Sequence, residues 1–190
     1  LASGQREVVD ILQHNVRSLQ EQIESLLTLN AAAFEARRLR IEPVKPRKLL
    51  AAVAQRRELH SQSRQLKVVI EAADEMAMLD ADKMTVVLDN LLSNAIDFSP
   101  ENGEIRLRAM HADGLWRFEC VDQGPGVAEE DRQRIFDPFV QGQRMAPAPR
   151  QGSGVGLSIV RELVRAMGGA VYLLPQAAGA HFCVEIPDEQ

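Results

Sequence analysis

From Gln5 to Arg40 the chain contains no Gly and no Pro, and its apolar residues keep a heptad spacing. Val9, Leu12, Val16, Leu19, Ile23 and Leu26, then Asn30 and Ala33, alternate by three and four residues. That spacing draws a narrow stripe down a long helix of the coiled-coil type. Asn30, polar within the stripe, is the kind of residue that fixes register. One helix cannot satisfy such a stripe, so it needs a partner, from a missing part of a longer chain or from a second copy.

The Pro43–Pro46 stretch ends this pattern and opens another. Pro46 suits the first turn of a helix expected to run to about Ser63. Leu66–Ala72 reads as a strand, and Met76–Leu79 as a second short one. Asp80 is a good N-cap for a helix over about Ala81–Phe98, which Pro100 ends. Ile105–Met110 and Leu115–Val121 flank Ala112-Asp113-Gly114 and predict a hairpin. A helix over about Val155–Met167 stops at Gly168-Gly169, and strands over about Ala170–Leu174 and Ala180–Ile186 close the chain. The expected fold is α+β: a two-layer sandwich of a mixed, mostly antiparallel sheet and helices, preceded by the heptad helix. The boundary falls between residues 1–40 and 41–190.

Aromatics make up 4% of the 190 residues, so the core must rest on Leu, Val, Ile, Ala and Met. A net charge of −5 argues against a nucleic-acid binder that works through a general basic surface. A polyphosphate ligand would have to be held by local devices: backbone N–H groups, a metal ion, or a few placed Arg and Lys. Cys120 and Cys183 lie in apolar stretches and read as buried free thiols, which suits a reducing compartment. No apolar run reaches membrane-spanning length, so this part of the chain is not expected to be membrane-embedded. The chain begins at Leu1, and a piece of a longer protein is expected.

Three segments carry chemistry. In Leu88–Phe98, Asn90 and Asn94 are four residues apart and share one helical face, where their oxygens can meet a hard cation such as Mg2+. Taken alone, the pair reads more readily as a solvated face. Asp122-Gln123-Gly124-Pro125-Gly126 follows a strand. Its glycines permit close approach of a ligand to the backbone, and Asp122 could accept from an exocyclic amine; a plain turn is the simpler account of this stretch by itself. Gly152-Ser153-Gly154-Val155-Gly156-Leu157 opens a helix, where freed N–H groups can bind phosphate. It fits neither the Walker A loop nor the dinucleotide fingerprint.

In their order, the three segments resemble the N, G1 and G2 boxes of the GHKL superfamily, with its Bergerat-like fold. That superfamily joins DNA gyrase, a heat-shock chaperone, histidine kinases and mismatch-repair ATPases. Arg134-Ile135-Phe136-Asp137-Pro138-Phe139 is similar to the F box of the kinases. The heptad helix resembles the second helix of their dimerisation and phosphoacceptor hairpin.

The resemblance implies an ATP-binding catalytic portion of a two-component sensor histidine kinase, which transfers the γ-phosphoryl group to a histidine for relay to a response regulator. By the same resemblance, Asn90 and Asn94 engage Mg2+ and phosphates, Phe98 lies against adenine, and Asp122 reads its amine. Gly124 and Gly126 line the base pocket, with Phe136 nearby. Gly152, Gly154, Gly156 and Leu157 surround the phosphates. Residues 140–151 form a mobile lid from which Arg150 or Arg144 reaches the γ-phosphate, although a solvated loop charge is an equal reading for either Arg. The implied partners are the phosphoacceptor helix, a response regulator and a second copy, as a homodimer through residues 5–40. The implied setting is cytoplasmic, with the parent anchored in the bacterial inner membrane.

Two departures matter. The family carries Lys or Arg where this chain has Asp97. At ~6 Å and an effective dielectric near 20, a unit charge beside a polyphosphate is worth about 3 kcal/mol. Either Asp97 points away, or Mg2+ and a lid arginine compensate. Asp97→Lys is expected to tighten ATP binding; unchanged or weaker affinity by titration would count against that. Asp97 also leaves open a regulatory module that binds nucleotide weakly. The ATPase branch is disfavoured, because its glutamate base is replaced by Asn90, which cannot accept a proton.

The second departure is the acceptor. None of His14, His60, His111 and His181 has the expected H-E-x-x-x-P-like setting, and His14 falls at the exposed f position of the heptad. The fragment is therefore expected not to phosphorylate itself.

Overall fold

The computed structural model describes Ile23, Leu27 and residues 38–140, 154–176 and 178–188. Most of the heptad segment and residues 141–153, with Arg144, Arg150 and Gly152, lie outside the described residues. Ile23, a stripe residue, is helical and half exposed.

The order of elements is β1 (Glu42–Val44), α1 (Pro46–Arg56), α2 (Glu58–Ser63), β2 (Lys67–Ala72), β3 (Ala77–Leu79), α3 (Ala81–Phe98), β4 (Glu104–Ala112), β5 (Leu115–Val121), α4 (Gly156–Ala166), β6 (Ala170–Leu173) and β7 (His181–Pro187). Two short 3-10 turns, Glu129–Asp131 and Arg134–Phe136, lie between β5 and α4. A five-stranded sheet runs β2-β4-β5-β7-β6, parallel between β2 and β4 and antiparallel elsewhere. This is the expected mixed sheet. Strand β1 pairs with β3 in a separate ribbon. Glu-Pro-Val shows no alternation and places Pro in an edge position, so nothing in its composition marks it as a strand.

One face of the sheet is apolar. Ile105, Leu107, Trp116, Phe118 and Val184 are buried against Met84, Leu88, Leu91 and Leu92 of α3 and Val160 and Val164 of α4. Each such side chain contributes roughly 1.5–3 kcal/mol relative to exposure. The opposite face carries charged cross-strand pairs, Arg108–Glu71 at 2.8 Å and Arg117–Glu185 at 2.7 Å. One layer of helices therefore completes the domain. Cys120 and Cys183 are buried free thiols, as expected.

Local chemistry explains the elements that were anticipated. Asp80 caps α3, its Oδ1 accepting from Lys83 N at 3.0 Å. Its Oδ2 accepts from Arg40 N at 3.0 Å and from Lys83 Nζ at 2.9 Å, tying the chain before β1 to the head of α3. Asp113 and Gly114 both have positive φ, the two-residue turn that suits a twisted hairpin.

The helix expected to run from Pro46 to Ser63 is two helices. The break is at Arg57 (φ −101°, ψ 8°), whose guanidinium is drawn to Asp89 of α3, with Nε donating to Oδ1 at 2.8 Å. No Gly or Pro lies at the break, so no local breaker marks it in the sequence.

Candidate functional site

One flank of α3 gathers the site. Asn90, Asn94 and Phe98 recur at four residues along it, while Leu88, Leu91, Leu92 and Ala95 face the core. Asn90 donates Nδ2 to its own helix at Val86 O, 2.8 Å away, which directs Oδ1 outward. That oxygen faces the head of α4, because a Cβ on Gly156 would lie 2.8 Å from it. The first-turn N–H groups of α4 have no acceptor within the helix, so an anion there would meet donors from α4 and an oxygen from α3.

The other end of the flank meets the turn after β5. A Cβ on Gly124 would stand 2.7 Å from the Phe98 carbonyl oxygen, so only glycine lets the Asp122–Gly126 turn lie against the end of α3. Asp122 is 3% exposed. Its Oδ1 accepts from Gly124 N at 2.8 Å and from Ala180 N at 3.0 Å. Among the described residues both donors use the same oxygen, which leaves Oδ2 to accept. Burial pushes the Asp122 carboxyl above the ordinary carboxylate range, and the two backbone donors offset that only in part.

Asn90 and Phe98 are eight residues apart, about 12 Å along a helix. The two glycine contacts therefore sit one span apart on one flank, with Asn94 between them. That is the scale of a ligand with a base at one end and an anionic chain at the other. Among the described residues no cluster of three or more His, Cys, Asp or Glu could hold a metal. The amide oxygens of Asn90 and Asn94 could hold a cation that keeps waters and brings an anion with it.

The remaining expected residues divide. Phe139 N donates to Gly154 O at 3.0 Å, bringing the segment after Phe136 to the glycine run. Leu157 is partly buried against the core. Phe136, expected in the site, is a core residue: 6% exposed and edge-on to Phe182 at 6.2 Å. It anchors the turn from beneath. Asp97 is engaged by His60, Nε2 lying 3.2 Å from Oδ1, so its carboxylate is turned toward α2.

Sequence reasoning missed the loop before β7. Gln176 Nε2 donates to Asp122 O at 3.1 Å, and Asp122 N donates to Ala180 O at 2.9 Å. At Gly179 (φ +81°), a Cβ would stand 1.9 Å from Asp122 O. A solitary glycine at the head of the closing strand was the sole local signal.

Residues 79–190 match the family of histidine kinase-, DNA gyrase B- and HSP90-like ATPases. The sensor histidine kinase GlrK of Escherichia coli K12 is 31% identical over 192 residues, covering 100% of this chain and 40% of the relative. Full-length ShkA in complex with AMPPNP superposes with a TM-score of 0.76 at 31% identity, over 98% of this chain and 39% of that one. The nucleotide-free catalytic domain of histidine kinase ThkA superposes at 0.70 and 27% identity, over 78% of this chain and 96% of the domain. This chain thus spans about two-fifths of the length of the first curated relative.

Proposed function

The chain belongs to the family of histidine kinase-, DNA gyrase B- and HSP90-like ATPases, and from that premise we propose that it is the ATP-binding, phosphoryl-transferring portion of a sensor histidine kinase. The observation that carries this is Asp122: a buried carboxylate with one oxygen pinned by two backbone donors and the other left to accept from adenine's amine. Gly124 and Gly126 form the base pocket with Phe98. The phosphates run along α3 to Asn90, Asn94 and the head of α4, with Gly152, Gly154 and Gly156 supplying backbone donors. Asn90 and Asn94 would hold a phosphate-bound Mg2+, which would supply positive charge beside the transferring group. Arg150, or Arg144, completes the site from the lid.

The acceptor is a histidine on a phosphoacceptor helix, supplied in trans to this fragment. Its imidazole nitrogen bonds to the γ-phosphorus, the bond to the bridging oxygen breaks, ADP departs and the imidazole proton is released. The phosphoryl group then passes to an aspartate of a response regulator. Residues 1–40 form the dimerisation helix and 41–190 the catalytic domain. The exposure of Ile23 on its stripe suits a homodimer through residues 5–40. The site is cytoplasmic in a parent anchored in the bacterial inner membrane. Asn90 in place of a glutamate base disfavours water as nucleophile.

The test is labelled ATP with Mg2+ and a matching acceptor-helix fragment. Label is expected on the acceptor and not on this chain alone. Label on this chain alone would overturn the assignment of the acceptor, steady phosphate release would favour an ATPase, and binding without transfer would favour a regulatory module.

A further inference from the structure

The far end of α3 is held from outside the helix. The carbonyls of its last four residues, 95–98, have no donor within it. Ala95 O accepts from Ser99 N at 3.0 Å. Ile96 O and Asp97 O accept from Arg64 Nη1, at 2.9 and 2.7 Å, and Ser99 O accepts from Arg64 Nη2 at 2.9 Å. Phe98 O is the carbonyl that faces the turn after β5, where a Cβ on Gly124 would stand 2.7 Å from it. One guanidinium thus fixes the residues on both sides of the carbonyl against which the base pocket is built.

The backbone of Arg64 is itself fixed where α2 ends. Its N donates to Ser61 O at 3.2 Å, and Leu66 N donates to the same oxygen at 2.9 Å. The Arg64 carbonyl accepts from Asn102 N at 3.4 Å, in the loop that leaves α3. That loop leads into Glu104, whose N donates to Gln123 Oε1 at 2.8 Å. The residue between Asp122 and Gly124 is therefore braced against the same loop. Arg64 grips residues 96–102 by side chain and main chain, and the turn leans on that segment at two points. A planar, permanently charged fork suits several carbonyls at a helix C-terminus, where the partial charge is negative.

We propose that Arg64 is a positioning residue for adenine: it fixes the last turn of α3 against Gly124 and so sets the pocket in which the base meets Asp122. This rests on the nucleotide-binding reading above. Arg64 acts through Phe98 and Gly124 and not on the nucleotide itself. Asn90 lies about 12 Å from Phe98 along the helix, beyond the reach of this guanidinium. Loss of Arg64 should therefore loosen the base end of the site and leave the phosphate end in place.

The experiment follows transfer from labelled ATP with Mg2+ to an acceptor-helix fragment by wild type, Arg64→Met and Arg64→Lys. Melting curves fix a temperature at which each is folded. Methionine keeps an apolar stem and removes the donors. Arg64→Met is expected to raise the KM for ATP about tenfold, with kcat at saturating ATP within about twofold of wild type. Arg64→Lys should show a smaller rise, because an ammonium can meet part of the carbonyl set but not span it. Binding lost alike in ground and transition states appears in KM alone, whereas a general loosening of the domain lowers kcat as well. A wild-type KM in folded Arg64→Met, or a fall in its kcat, would overturn the proposal and leave the nucleotide reading intact. Should Arg64→Met not fold, Arg64→Lys carries the same test: a raised KM with kcat kept supports the proposal, and a wild-type KM or a lower kcat overturns it. No transfer by wild type at any ATP concentration would remove the reading of the site, and this inference with it.

Discussion

Replacing Asp122 with Asn is expected to produce a protein that melts at a higher temperature at neutral pH and binds adenine nucleotide far more weakly. The asparagine oxygen can still accept from Gly124 N and Ala180 N, so the turn keeps its two backbone bonds. The second carboxylate oxygen becomes an amino group, which meets adenine's amine donor to donor. A hydrogen bond to a charged group contributes about 1.5–3 kcal/mol, so affinity should fall roughly ten- to 150-fold.

The stability change runs the other way. Burial holds the folded-state pKa of Asp122 above its unfolded value, so the folded protein binds its proton more tightly. Its contribution is least unfavourable below the unfolded pKa. The penalty grows as pH rises through the interval between the two values, and is complete above the folded-state value. Asn removes it. Thermal unfolding at pH 7 and at acid pH, with calorimetric titration of nucleotide, measures both effects. Undiminished affinity would show that Asp122 does not read the base; a lower melting temperature at neutral pH would show that the lost charge had been stabilising.

The contrast between local and distant causes explains which parts of the molecule could be read from the chain. Helix α3 was legible because each of its signals is local: Asp80 caps it, Pro100 stops it, and its leucines recur at helical spacing. The β4–β5 hairpin was legible from Asp113-Gly114, whose positive φ values the turn requires. The Asn, Asp and Gly segments were legible as a set, since their order carried more information than any one of them. What escaped depends on distant partners. The break at Arg57 has no Gly or Pro to mark it, and the contact of Asp97 with His60 joins residues 37 positions apart. Phe136 shows the same limit: its presence in the segment was evident, but only packing against Phe182 places it in the core.

Gly179→Ala should be among the most damaging single-methyl changes in the domain, although in the sequence residues 175–179 only connect two expected strands. Two costs combine. At φ +81° an L-residue is strained by about 1–2 kcal/mol. The added Cβ would also stand 1.9 Å from Asp122 O and 2.7 Å from its carbonyl carbon, backbone that cannot rotate aside. Relieving that overlap means parting the loop from β5, at roughly a further 1–3 kcal/mol, for a total of about 2–5 kcal/mol. Gly114→Ala is the control: φ is +71° and nothing lies within 4 Å of its Cβ, so only the backbone strain of about 1 kcal/mol applies. Chemical denaturation of the two variants should separate them by about 1–3 kcal/mol, the cost of the overlap. Because the Ala180 N–H that pins Asp122 Oδ1 belongs to the next residue, Gly179→Ala should also weaken nucleotide binding, while Gly114→Ala leaves it intact. Equal destabilisation by the two substitutions would mean that the loop yields freely, and that Asp122 is oriented by Gly124 alone.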